Sequence, residues 1–207
     1  MRFEWFFIGY LLMFSIPLGE ISLLPALGYA LMLFAAYRLA RFEAVFERMR
    51  RVLLAALPIG VILLSAQIYK SAAGDGVFAG FDIAYAAVEW ADELIEMAVM
   101  FFFYIGVKIM GERADIPALV KHSTRNMTVM AVYLVLEAAV ALLTVLAPQV
   151  FEGFAIIRLY PIAAGVIWRV LNLWTIFTCY LGLARDDGEK PEPEPSGASR
   201  RKKRKRK

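Results

Sequence analysis

Long apolar runs alternate with short charged stretches along this chain. The runs cover residues 5–18, 21–40, 52–69, 78–110, 128–147 and 155–183. This is the pattern of membrane-spanning helices and their connections, because a bilayer core of ~30 Å needs about twenty apolar helical residues to cross it. The first run, as a helix, reaches only about 21 Å. It either crosses with help from bilayer thinning or lies re-entrant or interfacial. The runs at 21–40 and 52–69 are long enough, the latter with Pro58 and Gly60 expected to kink it. Residues 78–110 exceed one span. Their first half is amphipathic and acidic, and the span is expected at roughly 92–110. The last run is also overlong, so it is expected to tilt, to kink at Pro161 or to begin outside the core. The predicted fold is therefore all-α: a polytopic membrane bundle of five or six transmembrane helices. Residues 41–51 (RFEAVFERMRR) read as a separate short cytoplasmic helix, supported by the Glu47–Arg51 spacing. No internal repeat is visible, so an inverted-repeat transporter architecture is not inferred.

The basic residues set the expected orientation. Arg38, Arg41, Arg48, Arg50 and Arg51 flank the 41–51 connection, and Lys108, Arg113, Lys121 and Arg125 flank a loop expected at 111–127. The alternate connections hold only Lys70 and Arg158. By the positive-inside rule the two basic connections and the C-terminus face the cytoplasm. The composition fits a membrane class, with 60% hydrophobic residues. The net charge of +4 belongs to residues 186–207, which carry nine Lys/Arg and five Asp/Glu, while residues 1–185 are balanced at fourteen of each. The chain thus divides into a transmembrane domain, 1–185, and a basic cytoplasmic tail, 186–207. The tail has almost no apolar residues and is expected to be disordered. Its terminal cations (Arg200, Arg201, Lys202, Lys203, Arg204, Lys205, Arg206 and Lys207) are expected to contact lipids of an anionic leaflet, at about 1 kcal/mol each. A purely topology-fixing role is an equal expectation, and nucleic acid is the less favoured polyanion.

Candidate chemistry is sparse. Cys179 and His122 are the only residues of their types, which excludes an intramolecular disulfide and thiol-based or His-rich metal sites. His122 beside Ser123 is a neighbour pair in sequence and not a catalytic arrangement. No cofactor and no enzymatic activity are expected. The informative residues are intramembrane charges, each costing about 2.5–3.5 kcal/mol at a helix centre on insertion scales. Glu137 and Arg169 lie at similar depth in consecutive segments and are expected to form an ion pair, either a coupling element in a polar path or a structural tie with Asn172 one turn from Arg169. Glu89, Asp92, Glu93 and Glu96 share one helical face, which Asp82 extends. Such a face is a candidate cation or proton site. The bland alternative is a solvated acidic face with Trp90 at the interface. Glu96 fits that alternative worst, since its neighbours are strongly apolar, and Arg158 is a possible partner for it.

Residues 23–31 read LLPALGYAL. Leu23, Leu24, Pro25, Gly28 and Tyr29 resemble the N-terminal hairpin of small multi-pass membrane proteins of Gram-positive bacteria, in which an LLP element precedes a Gly-Tyr pair opening the next helix. The resemblance covers about the first forty residues. Ala26 stands where that group usually has an acid, and the Pro-to-Gly spacing is one shorter. It implies a bacterial cell membrane and carries no activity or site. The leading functional expectation is a non-enzymatic accessory, regulatory or structural subunit that acts through helix packing and lipid contacts, with a protein partner or a second copy. The runner-up is a proton- or cation-transport component using Glu96, Glu137 and Arg169.

Overall fold

A computed structural model describes residues 3–13, 25–73, 82–146 and 159–183. The basic tail, Arg158 and Glu20 lie outside the described residues. All the described secondary structure is helical: α1 (Phe3–Met13), α2 (Pro25–Leu39), α3 (Val45–Ala73), α4 (Asp82–Arg113), α5 (Pro117–Leu146) and α6 (Leu159–Leu183). The protein is an all-α bundle. Four helices, α3 to α6, are long and apolar enough to cross a membrane, whereas α1 and α2 are shorter apolar helices. The outward faces are apolar, with Ile62, Val135, Leu142, Ile167 and Val170 among the exposed side chains. That is the inverse of a soluble surface and fits a lipid environment.

The connections at one end depart from the sequence reading. Residues 45–51 are not a separate helix but the first turns of α3, which runs unbroken through Pro58. The residues before it form a tight elbow, in which Phe42 N–H donates to Leu39 O at 2.9 Å and Phe46 N–H to Glu43 O at 3.1 Å. Likewise, the loop expected at 111–127 is mostly helix, with only residues 114–116 between α4 and α5. Asp115 takes a left-handed conformation (φ 54°). Ile116 N–H then reaches back to Gly111 O at 2.8 Å, capping the last carbonyls of α4. Pro117 opens α5, where a missing N–H costs nothing. For the same reason Pro161, in the first turn of α6, leaves that helix uninterrupted. Arg113, at the end of α4, is paired with Glu43 in the α2–α3 elbow. Both basic connections therefore lie at one end of the bundle.

Each helix packs against its neighbour in sequence, and α1 also packs against α6, which closes the helices into a ring. The first crossing is intimate. A Cβ on Gly9 would stand 2.8 Å from the carbonyl oxygen of Gly28, and a Cβ on Gly28 would stand 2.8 Å from the carbonyl oxygen of Gly9. The backbones of α1 and α2 thus touch where neither has a side chain, as in small-residue crossings of membrane helices. On its other side α1 faces α4. Phe6 stacks on Phe103 at 4.6 Å between ring centroids, and Phe3 meets the same ring edge-on at 6.3 Å. Phe46, in the first turn of α3, lies directly over Gly106 of α4.

Candidate functional site

The interior of the ring is not uniformly apolar. Glu96, Ser123, Asn126, Asn172 and Thr175 are buried, and Glu96 is only 8% exposed. A carboxylate at that depth requires hydrogen-bond partners or a proton. It has two partners. Tyr10 of α1 donates its hydroxyl to Glu96 Oε1 at 2.9 Å, and Arg169 Nη2 of α6 donates to Glu96 Oε2 at 3.2 Å. Asn172, one turn beyond Arg169, donates its amide to the Tyr10 hydroxyl at 2.6 Å. The carbonyl of Asn172 accepts from the Tyr104 hydroxyl, which in turn accepts from Trp168 Nε1 at 3.2 Å. These bonds all run in one direction: Trp168 to Tyr104 to Asn172 to Tyr10 to Glu96. The chain joins α1, α4 and α6 through side chains from each.

Glu93, one turn before Glu96, extends the network. Its carboxylate accepts from the Tyr133 hydroxyl of α5 and lies 3.6 Å from Arg169 Nη2. Tyr133 reaches it because Gly165 of α6 leaves room for the phenol ring, which also stacks on Trp168 at 5.5 Å. Asp92 accepts from the Tyr29 hydroxyl of α2 at 2.6 Å. Toward the basic end, Asn126 of α5 donates to Leu171 O and to Thr175 Oγ1, both at 2.9 Å. Polar groups therefore recur along α4 and α6 from Asp92 to Thr175, and they bond across helices.

The sequence-derived residues fall out unevenly. Glu93, Glu96 and Arg169 come together. Arg169 does not pair with Glu137: its ion pairs go to Glu96 and Glu93 on α4. Matching depth on consecutive helices could not show that the guanidinium turns toward α4. Glu137 lies one turn beyond Tyr133 on α5, within electrostatic reach of Glu93 and Arg169. Asn172 bonds to tyrosines. Glu89 is exposed at the outer part of the same face. Among the described residues, no three His, Cys, Asp or Glu side chains are arranged to hold a metal ion. The acidic face is spread over several tyrosine partners. No protein-family model, curated protein or solved structure matches this chain. The site is read from its own geometry.

Two features of that geometry are chemically informative. Glu93 and Glu96 share one guanidinium, so the triad holds one more carboxylate than cation. In addition, each carboxylate faces a phenol hydroxyl, a group that can either donate or accept. In a low-dielectric interior an unbalanced carboxylate is costly, so each depends on the bonds it accepts. The surplus negative charge makes Glu93 and Glu96 the candidate proton-binding groups, and the tyrosine and asparagine bonds hold them in place.

The tyrosines are what the sequence reading missed. Tyr10, Tyr29, Tyr104 and Tyr133 sit at positions where a phenylalanine would satisfy the apolar pattern equally well. A buried Tyr carries a hydroxyl that needs a partner, and that was the available signal.

Proposed function

We propose that this membrane protein handles protons within the bilayer, as a component of a proton-coupled system. Glu96 is the group that binds and releases the proton, Glu93 shares Arg169 with it, and Tyr10, itself held by Asn172, orients Glu96. The observation that carries this reading is the sharing of Arg169 between Glu93 and Glu96, 3.6 and 3.2 Å away, each carboxylate also facing a tyrosine hydroxyl. A proton needs no ligand cage, which fits carboxylates spread over several tyrosine partners. Two measurements test the reading. Infrared difference spectra of the protein in lipid are expected to show a protonated-carboxyl band that disappears in Glu96→Gln or Glu93→Gln. Liposomes carrying the protein and a trapped pH dye are expected to take up protons under an imposed potential, faster than protein-free vesicles or Glu96→Gln vesicles. The reading is overturned if the carboxyl band is absent and uptake equals that of empty vesicles.

One observation supports a second reading, that of a non-enzymatic accessory or structural subunit. Both oxygens of Glu96 are already engaged, and the same bonds fasten the short α1 to the long α4 and α6. On that reading Glu96→Gln weakens assembly of the bundle while leaving proton uptake at the empty-vesicle level in both forms. In either case we propose that the basic connections face the cytoplasm of a bacterial cell, by the positive-inside rule.

A further inference from the structure

At the basic end of the bundle, Phe34, Tyr37, Arg38 and Arg41 fall at offsets of 3, 4 and 7 and so share one face of α2 and its exit. The two aromatic rings are exposed, Phe34 at 40% and Tyr37 at 49%. The guanidinium of Arg38 lies over the Phe34 ring, 5.4 Å from its centroid. Two further guanidinium groups lie over the one Tyr37 ring, Arg41 at 5.6 Å and Arg50 of α3 at 5.9 Å. Arg50 is compensated by Glu47 at 2.6 Å. Arg38 and Arg41 form no ion pair among the described residues. Arg38 Nε is moreover inaccessible and unpartnered, as is the indole Nε1 of Trp5, whose ring meets Phe34 edge-on at 5.9 Å. The patch is therefore a set of N–H donors and positive charge, mounted on exposed aromatic rings, with no acceptor for Arg38 or Arg41 among the described residues.

We propose that this face binds the headgroup of an anionic phospholipid in the surrounding leaflet. The phosphate accepts from the outward N–H groups of Arg38 and Arg41, and the first acyl carbons lie along Phe34. Three observations select this occupant. The charge is uncompensated and positive. The fork of a guanidinium matches two phosphate oxygens. The rings lie exposed at the end of an apolar helix, where aromatic side chains meet the headgroup layer. The site is built without the eight cations at residues 200–207 and does not depend on the proton-handling reading.

The test is native mass spectrometry of the full chain in mild detergent, titrated with phosphatidylglycerol or with phosphatidylcholine of the same acyl chains. The wild-type chain is expected to retain one phosphatidylglycerol in preference to phosphatidylcholine. A double variant, Arg38→Gln with Arg41→Gln, is expected to bind it roughly twenty- to thirtyfold more weakly, since each cation near an anionic surface contributes about a fivefold factor. A variant with residues 200–207 changed to Gln is expected to keep the preference. Retained affinity in the double variant, loss only in the tail variant, or equal retention of the two lipids would each overturn the proposal. The charge-preserving pair Arg38→Lys with Arg41→Lys guards against misfolding: it should keep most of the affinity, and if it loses all of it the patch is not a charge-recognition site.

Discussion

Gly9 and Gly28 mark a point where two helices meet through their backbones: each carbonyl oxygen lies 2.8 Å from where the other residue's Cβ would be. The contact cannot admit a methyl group without separating α1 from α2. Gly28→Ala is therefore expected to lower unfolding free energy by about 1–3 kcal/mol, the usual cost of overpacking. Gly182→Ala serves as the reference, since nothing lies within 4 Å of its added Cβ. It should change stability by less than about 0.5 kcal/mol. Denaturant titration of both variants in detergent gives the comparison, and equal effects would remove the case for a tight α1–α2 crossing.

The pairing of Arg169 is checked by two double-mutant cycles. Glu96→Gln with Arg169→Gln should show a coupling energy of about 0.5 kcal/mol or more, in the range found for interacting residues. Glu137→Gln with Arg169→Gln should show a smaller coupling, since no direct ion pair joins them and they act on each other only through the field they share with Glu93. A larger coupling to Glu137 than to Glu96 would restore the pair that helix depth alone suggests.

Tyr10→Phe removes one oxygen and keeps the ring. It leaves Glu96 with one partner fewer and Asn172 without its acceptor. Hydrogen bonds between membrane helices contribute on average ~0.6 kcal/mol, and a buried group left unpaired costs about 1–3 kcal/mol. A loss of roughly 1–2 kcal/mol is expected, whereas Tyr37→Phe, on the exposed face, should be nearly silent. Unfolding curves of the two variants, measured side by side, decide the point.

Cys179 is the chain's single cysteine and is buried on α6. The folded protein is expected to resist maleimide labelling, and denatured protein to react fully. Gly28→Ala should label faster than wild type in sub-denaturing detergent, because opening of the bundle exposes the thiol. Rapid labelling of the folded wild type would contradict the burial.

The fold class was legible because apolar length is a direct physical requirement of spanning a bilayer, and all four long helices coincide with long apolar runs. Boundaries were less legible. Charged residues at 41–51 suggested a separate short helix and those at 111–127 a loop, yet α3 and α5 run on as continuous helices through 45–51 and 117–127. The Glu93–Glu96 face could be read from its spacing, and Arg169 from the cost of a charge in lipid. Their mutual pairing could not, because it depends on how α6 is rotated relative to α4, which no local pattern encodes. The tyrosines were hidden for a different reason: in an apolar helix Tyr and Phe are interchangeable to every pattern except the hydroxyl's need for a partner.

Tyr10 and Asn172 are hydrogen-bonded across a sequence separation of 162 residues. α1 leaves the ribosome well before its polar partner on α6. During synthesis the early helices therefore sit in the membrane with Glu96 lacking Arg169 and Tyr10 lacking Asn172, since both partners are still untranslated. Only a chain synthesised through α6 can complete these bonds. A product terminated before α6 would leave Glu96 with Tyr10 but without its cation, so the ring closure also distinguishes chains that include α6 from fragments that membrane quality control should remove.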